Sequence, residues 1–130
     1  MKTHLSLPTA NLGKSVAFYE TLLDAAPAKV LPDYALFVTE EPALELALDH
    51  SPPAPTPSGG HFGICVDTVD EVERAIERLR AADLVTSVQR EETCCYANQT
   101  KVWANDPDGR RWEIYTVHED VVAEGECCQA

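Results

Sequence analysis

"HFGICVDTVDEVERAIERLRAADL", residues 61–84, reads as a strand followed by a helix. Along its first residues His61, Gly63 and Cys65 alternate with Phe62, Ile64 and Val66, the period of a half-buried strand. Thr68 and Glu71 then form the signature of a capping box. Beyond them Val72, Ala75, Ile76 and Leu79 fall on one helical face. Strand-like "TSVQREE", "QTKVWAND" and "RRWEIYTV" follow, and "NDPDGR" carries Pro107 and Gly109 as turn residues between the last two.

The same order occurs earlier in the chain. "THLSLP", residues 3–8, alternates and should end at Pro8. "NLGKSVAFYETLLDA" has Val16, Tyr19, Leu22 and Leu23 at helical spacing, with Asn11 or Ser15 as the cap. "YALFVTE" and "ALELALD" are strand-like. Between the two runs lies "SPPAPTPSGG", too rich in proline and glycine for regular structure. The expected organisation is therefore module one at 1–50, a linker at 51–60, module two at 61–118 and a flexible acidic tail at 119–130. A repeat of a strand–helix–strands unit dictates an α+β fold.

The 130 residues carry 22 acidic and 10 basic side chains, a net charge of −12. Such a surface repels phosphate backbones and anionic lipid, so neither nucleic acid nor a membrane is an expected partner. The opening "MKTHLSLPTANLGKS" has no apolar stretch of the signal-peptide kind, which points to the cytoplasm. In that reducing compartment the five cysteines are expected to be thiols or ligands. Cys94 and Cys95 are adjacent, with Cα atoms about 3.8 Å apart, shorter than the roughly 4.4–6.8 Å of ordinary disulfides.

His4 and His61 each stand in the first strand of a module, and Glu45 and Glu113 each in the last. Two facing half-sheets would gather His4, His61 and Glu113 in a cleft as a divalent-metal set. The alternative is that the histidines are polar-face residues and the two glutamates face solvent on half-buried strands. What singles them out is residue type recurring at the same place in the repeat.

On "HLSL" (4–7), "SVAFYETLL" (15–23), "GGHFGICVD" (59–67) and "DPDGRRWEIY" (106–115), the chain resembles the vicinal-oxygen-chelate superfamily of glyoxalases, bleomycin- and fosfomycin-resistance proteins and extradiol dioxygenases. The resemblance covers residues 3–118. It implies two βαβββ modules forming a cupped, barrel-like mixed sheet around a divalent metal held by His4, His61 and Glu113. Two histidines and a carboxylate with open positions suit non-haem Fe(II) and dioxygen, although Ni, Co or Mn fit similar donors. Glu45 stands where a four-ligand glyoxalase places a further ligand. Modules of this kind pair within a chain or between chains, so a homodimer is open.

"TCCYANQTKVW" is similar to the ArsI carbon–arsenic lyases and the related cadmium-induced CadI proteins. That resemblance implies an Fe(II)-dependent, O2-consuming lyase of trivalent organoarsenicals such as methylarsenite, with Cys94 and Cys95 as the substrate clamp. It makes Tyr96, Asn98 and Lys101 part of a mobile loop over the site; the polar run "ANQT", lacking the alternation that pins a strand, predicts that the loop around 91–101 is open without substrate and closes on arsenic. Lys101 would lower the thiol pKa values if that loop folds back. The plain alternatives are edge packing for Tyr96, a turn role for Asn98 and a solvated charge for Lys101. Cys127 and Cys128 read either as an unstructured tail or as an arsenic relay. Two other functions compete: thiol sequestration of arsenite or Cd(II) without turnover, and glyoxalase or thiol-transferase chemistry using the metal as a Lewis acid.

Overall fold

The computed structural model describes residues 1–52, 60–94 and 97–120; at 91–94, 97–98 and 118–120 the description is of the backbone. The expected linker lies mostly outside these residues, as do Cys95, Tyr96 and the tail from residue 121. The chain divides into two compact units. One comprises Met1–Gly60 with Asn105–Arg110, the other His61–Ala104 with the chain after Arg110. Each is a strand, a helix and three strands, the paired βαβββ pattern that the family resemblance implies.

In the first unit β1 (Thr3–Thr9), α1 (Leu12–Leu23), β2 (Lys29–Leu31), β3 (Tyr34–Thr39) and β4 (Leu44–His50) form a sheet of order β1-β4-β3-β2. β1 lies parallel to β4, and β4 antiparallel to β3. β1 runs one residue past Pro8. Pro8 sits on an edge strand, where a missing N–H interrupts no ladder. Asn11 caps α1 by accepting from the Lys14 amide at 3.0 Å. The helix buries Phe18, Tyr19, Leu22 and Leu23, and the sheet buries Phe37, Leu46 and Leu48. The Tyr19 and Phe37 rings lie 6.5 Å apart. β2 has no counterpart in the sequence reading: its three residues are all exposed, so no alternation announces it.

The second unit contains β5 (Phe62–Cys65), α2 (Val69–Ala81), β6 (Val85–Cys94), β7 (Ala97–Asn105) and β8 (Arg111–Asp120), in the order β5-β8-β7-β6. Thr68 caps α2, its hydroxyl accepting from the Glu71 amide at 3.2 Å. Val72, Ala75, Ile76 and Leu79 are buried, as are Ile64, Trp112 and Ile114 of the sheet. With Trp112 and Ile114 in the core, alternation turns Glu113 to the opposite sheet face.

One expectation needs correction. The strand-like runs at 86–92 and 99–106 are strand, and so are residues 93–94 and 97–98, anticipated as open loop: they pair through Thr93–Asn98 and Cys94–Ala97. Ladder bonds come from the backbone, and alternation is demanded only where one face is buried. A polar run can therefore pair without announcing itself.

The β7–β8 turn, Asn105–Arg110, packs with the first unit. Asp106 is 4% exposed. Its Oδ2 accepts from the Tyr19 hydroxyl at 2.6 Å and Arg110 Nη1 at 3.0 Å. Its Oδ1 accepts from the Asp108 and Arg110 amides at 3.0 and 2.8 Å. Arg110 Nη2 donates to the Pro8 carbonyl at 2.7 Å, and the Ala10 amide donates to Asp108 Oδ1 at 3.0 Å. Gly109 adopts a φ of +89°, which a side chain would strain.

Removing Asp106 leaves two amides without their acceptor and Arg110 with only the more distant Asp108 carboxylate, 3.6 Å from Nη1. Asp106→Ala should therefore cost about 3–5 kcal/mol in urea unfolding, the range for breaking a buried ion pair on one side. A loss below about 1 kcal/mol, the net worth of a single ordinary hydrogen bond, would show that the turn is not anchored through this carboxylate.

Candidate metal centre

Glu113 organises the β5–β8 face opposite α2. Its side chain is 10% exposed. Oε1 lies 3.8 Å from His61 Nε2, and Oε2 lies 3.5 Å from Lys101 Nζ. Among the described residues Oε2 nevertheless accepts no hydrogen bond, so the lysine offsets its charge without saturating its lone pairs. A buried carboxylate with an unsatisfied oxygen is costly unless a cation meets it.

Gly63 is the register partner of Glu113 and makes room for it. A Cβ on Gly63 would come 3.2 Å from the glutamate Cγ and Oε1 and 3.0 Å from Tyr115 Cε1. The carboxylate therefore lies over a hollow that only glycine leaves open. Burial holds the Tyr115 phenol above its ordinary pKa, assisted by the nearby Cys65 and Glu113. It stays a neutral hydroxyl at physiological pH.

Trp103, two residues beyond Lys101 in β7, frames the other side. Its ring meets His61 edge to face, with centroids 5.2 Å apart, and Arg111 stacks 4.5 Å over it. Lys101, its side chain 14% exposed, has its ammonium 5.8 Å from both the Trp103 and Tyr115 rings. Sequence reasoning overlooked Trp103 and Gly63. The signal for Trp103 was present, since "KVWA" alternates and puts it on the face of Lys101 while Val102 and Ala104 are buried.

In the first unit His4 and Glu45 are direct register partners in β1 and β4, and Nδ1 of the histidine lies 3.2 Å from Oε1 of the glutamate. Each unit thus joins one histidine to one carboxylate. Among the described residues no group of three or more His, Cys, Asp or Glu side chains gathers to hold an ion. The pairing of His61 with Glu113 fits a divalent metal on two counts. The nitrogen and oxygen are close enough for one ion with bonds of about 2.0–2.2 Å to reach both, and among the described residues Oε2 has no hydrogen-bond donor.

The other expected site residues are placed less fully. Cys94 ends β6 and Asn98 lies in β7, both described by backbone alone, while Cys95 and Tyr96 lie outside the described residues. Lys101, expected in a loop near the thiols, is in β7 with its ammonium on Glu113. Cys65 is exposed as a free thiol.

The family model for the Glyoxalase/Bleomycin resistance protein/Dioxygenase superfamily matches residues 3–114. A "Trivalent organoarsenical cleaving enzyme" of Bacillus sp. (strain MD1) is 39% identical over 96% of this chain and 81% of its own length. "Cadmium-induced protein CadI" of Mycobacterium tuberculosis (strain ATCC 25618 / H37Rv) is 40% identical over 92% and 78%. Among solved structures, a glyoxalase/bleomycin resistance protein/dioxygenase from Alicyclobacillus acidocaldarius superposes with a TM-score of 0.73 at 17% identity, covering 92% of each chain. The fosfomycin resistance protein FosX of Listeria monocytogenes, complexed with Mn(II) and sulfate, gives 0.65 at 16% identity, covering 88% of this chain and 89% of its own. At these identities the two structures speak to the fold.

The hollow over Gly63 yields a direct test. Gly63→Ala should push the carboxylate and Tyr115 aside at a cost of about 1–3 kcal/mol in stability, and divalent-metal affinity should fall with it, read by calorimetric titration with Co(II). Wild-type affinity in this variant would mean the hollow does not place a ligand.

Proposed function

The chain belongs to the Glyoxalase/Bleomycin resistance protein/Dioxygenase superfamily, and on that premise we propose that it is an Fe(II)-dependent carbon–arsenic lyase acting on trivalent organoarsenicals such as methylarsenite. The observation that carries the reading is the 39% identity, over nearly the whole chain, to a relative named for cleaving such compounds. The buried Glu113 beside His61 supports it with a carboxylate–imidazole pair suited to a divalent ion. In this reading His4, His61 and Glu113 hold the metal, and Cys94 and Cys95 hold the substrate.

The donor set assigns the parts. Trivalent arsenic is thiophilic, and thiolates select soft centres whereas imidazole and carboxylate suit Fe(II). Each cysteine displaces one hydroxyl from methylarsenite, giving a dithiolate adduct and two waters, with the methyl group as the remaining substituent. Two attachment points fix its orientation where one would let it rotate, and orientation is a large part of catalysis. Trp103 and Tyr115 give the site an apolar wall, and Lys101 supplies fixed positive charge beside Glu113. When bound, Fe(II) supplies the one-electron chemistry that dioxygen needs to oxidise the carbon. The overall balance is one methylarsenite and one O2 giving arsenite and formaldehyde. Tyr96 and Asn98, near the β6–β7 connection, are read as contacts over the bound substrate, and that hairpin as the element that closes on it. Vicinal thiols of this kind suit a reducing compartment such as the cytoplasm; among the described residues no helix is long and apolar enough to cross a membrane.

A second reading has its own support in the 40% identity to cadmium-induced proteins: thiol capture of arsenite or Cd(II) without turnover.

Anaerobic loading with Fe(II), then methylarsenite and air, separates the two by arsenic speciation. The lyase reading predicts arsenite and formaldehyde from wild type, none from Cys94→Ser or Cys95→Ser, and no reaction of pentavalent methylarsenate. Methylarsenite bound but recovered intact would establish sequestration, and full turnover by Cys94→Ser would refute the clamp.

A further inference from the structure

The two histidine–carboxylate pairs are built differently. In the first unit His4 and Glu45 are direct register partners, and the carboxylate meets the imidazole at Nδ1, 3.2 Å away. In the second, Phe62 pairs with Trp112 and Gly63 with Glu113. His61 therefore aligns with Arg111, and its glutamate lies two residues further along β8. That shift brings the carboxylate to Nε2 instead, at 3.8 Å. Both histidines stand seven residues before the N-cap of their helix, Asn11 and Thr68, so they are the equivalent pair and the glutamates are not.

A carboxylate at Nε2 can share an ion with that nitrogen, whereas a carboxylate at Nδ1 addresses the opposite side of the ring. We infer that Glu45 is a positioning residue: it accepts the Nδ1 proton of His4 and so leaves the Nε2 lone pair to face the metal. The inference rests on the reading of His4 as a metal ligand. An ionised carboxylate only accepts hydrogen bonds, so the contact selects the tautomer with the proton on Nδ1. Free imidazole side chains prefer the proton on Nε2, which would block coordination through that atom. Carboxylate–histidine–metal relays of this form orient the ring and raise its basicity. Glu45 is well placed for the task, because its antiparallel partner is Val38 and brings no competing polar group. Both side chains are about half exposed, 54% for His4 and 46% for Glu45, so the bond acts through orientation and contributes little to stability.

The test uses the full chain in two ways. Long-range 15N–1H correlation spectra of the imidazoles, with His4 assigned through His4→Ala, should show His4 protonated on Nδ1 in wild type and in Glu45→Gln, whose amide carbonyl still accepts. Glu45→Ala should revert to the Nε2–H form. In parallel, Co(II) affinity should fall about 10- to 100-fold in Glu45→Ala, as for other lost supporting partners, and stay near wild type in Glu45→Gln. His4 on Nε2–H in wild type, or Glu45→Gln losing as much affinity as His4→Ala, would overturn the inference, the latter by making Glu45 a ligand. Wild-type affinity in His4→Ala would instead refute the ligand reading on which it rests.

Discussion

A carboxylate side chain nine-tenths removed from solvent cannot be left without a cation, and Glu113 is such a group. Its surroundings follow from that constraint. Gly63 surrenders its side chain so that the carboxylate fits against β5, Lys101 brings an ammonium to Oε2, and His61 brings a ring nitrogen to Oε1. Trp103 closes the margin with Arg111 and Lys101 over its ring and the His61 ring at a steep angle to it. A sheet face built purely for stability would be better served by an apolar residue at 113, since replacing buried ion pairs with packed hydrophobes is often neutral or stabilising. Among the described residues Glu113 Oε2 has no hydrogen-bond partner, a state it shares with Asp108 Oδ2 of the β7–β8 turn.

The repeat supplies two such faces but does not duplicate them. Each unit places a histidine seven residues before a helix cap, so the first-strand positions match. The last strands then diverge by two residues, an even step that keeps both carboxylates on the histidine-bearing face while moving each along it. Because side chains alternate, an odd step would have turned one glutamate into the core. Divergence within a face therefore lets one repeat provide a carboxylate toward Nε2 and the other a carboxylate toward Nδ1.

What the sequence revealed and what it hid have physical causes. The strand–helix–strands repeat was legible because both helices carry side-chain caps, Asn11 and Thr68, and both bury a regular apolar stripe. Glu113 was legible because Trp112 and Ile114 on either side are core residues. The two-residue shift was not legible: strand register is a property of pairing, and spacing along the chain does not encode it. β2 and the polar ends of β6 and β7 were missed or read as loop because backbone ladders pair residues of any polarity. Phe18 escaped the helical-face reading, yet it is buried and edge-on to Tyr19 at 5.0 Å. The role proposed for the adjacent cysteines rests on resemblance, since two neighbouring thiols carry no periodicity to interpret.

The central claim is a division of labour between hard and soft donors, with imidazole and carboxylate for the metal and thiolates for arsenic. X-ray absorption at the iron edge of the anaerobically loaded protein tests it most directly. The account predicts a first shell of nitrogen and oxygen near 2.0–2.2 Å, as such ligands give, with no sulfur before or after methylarsenite is added. Sulfur near 2.3 Å, the thiolate distance, would place the cysteines on the metal and contradict it.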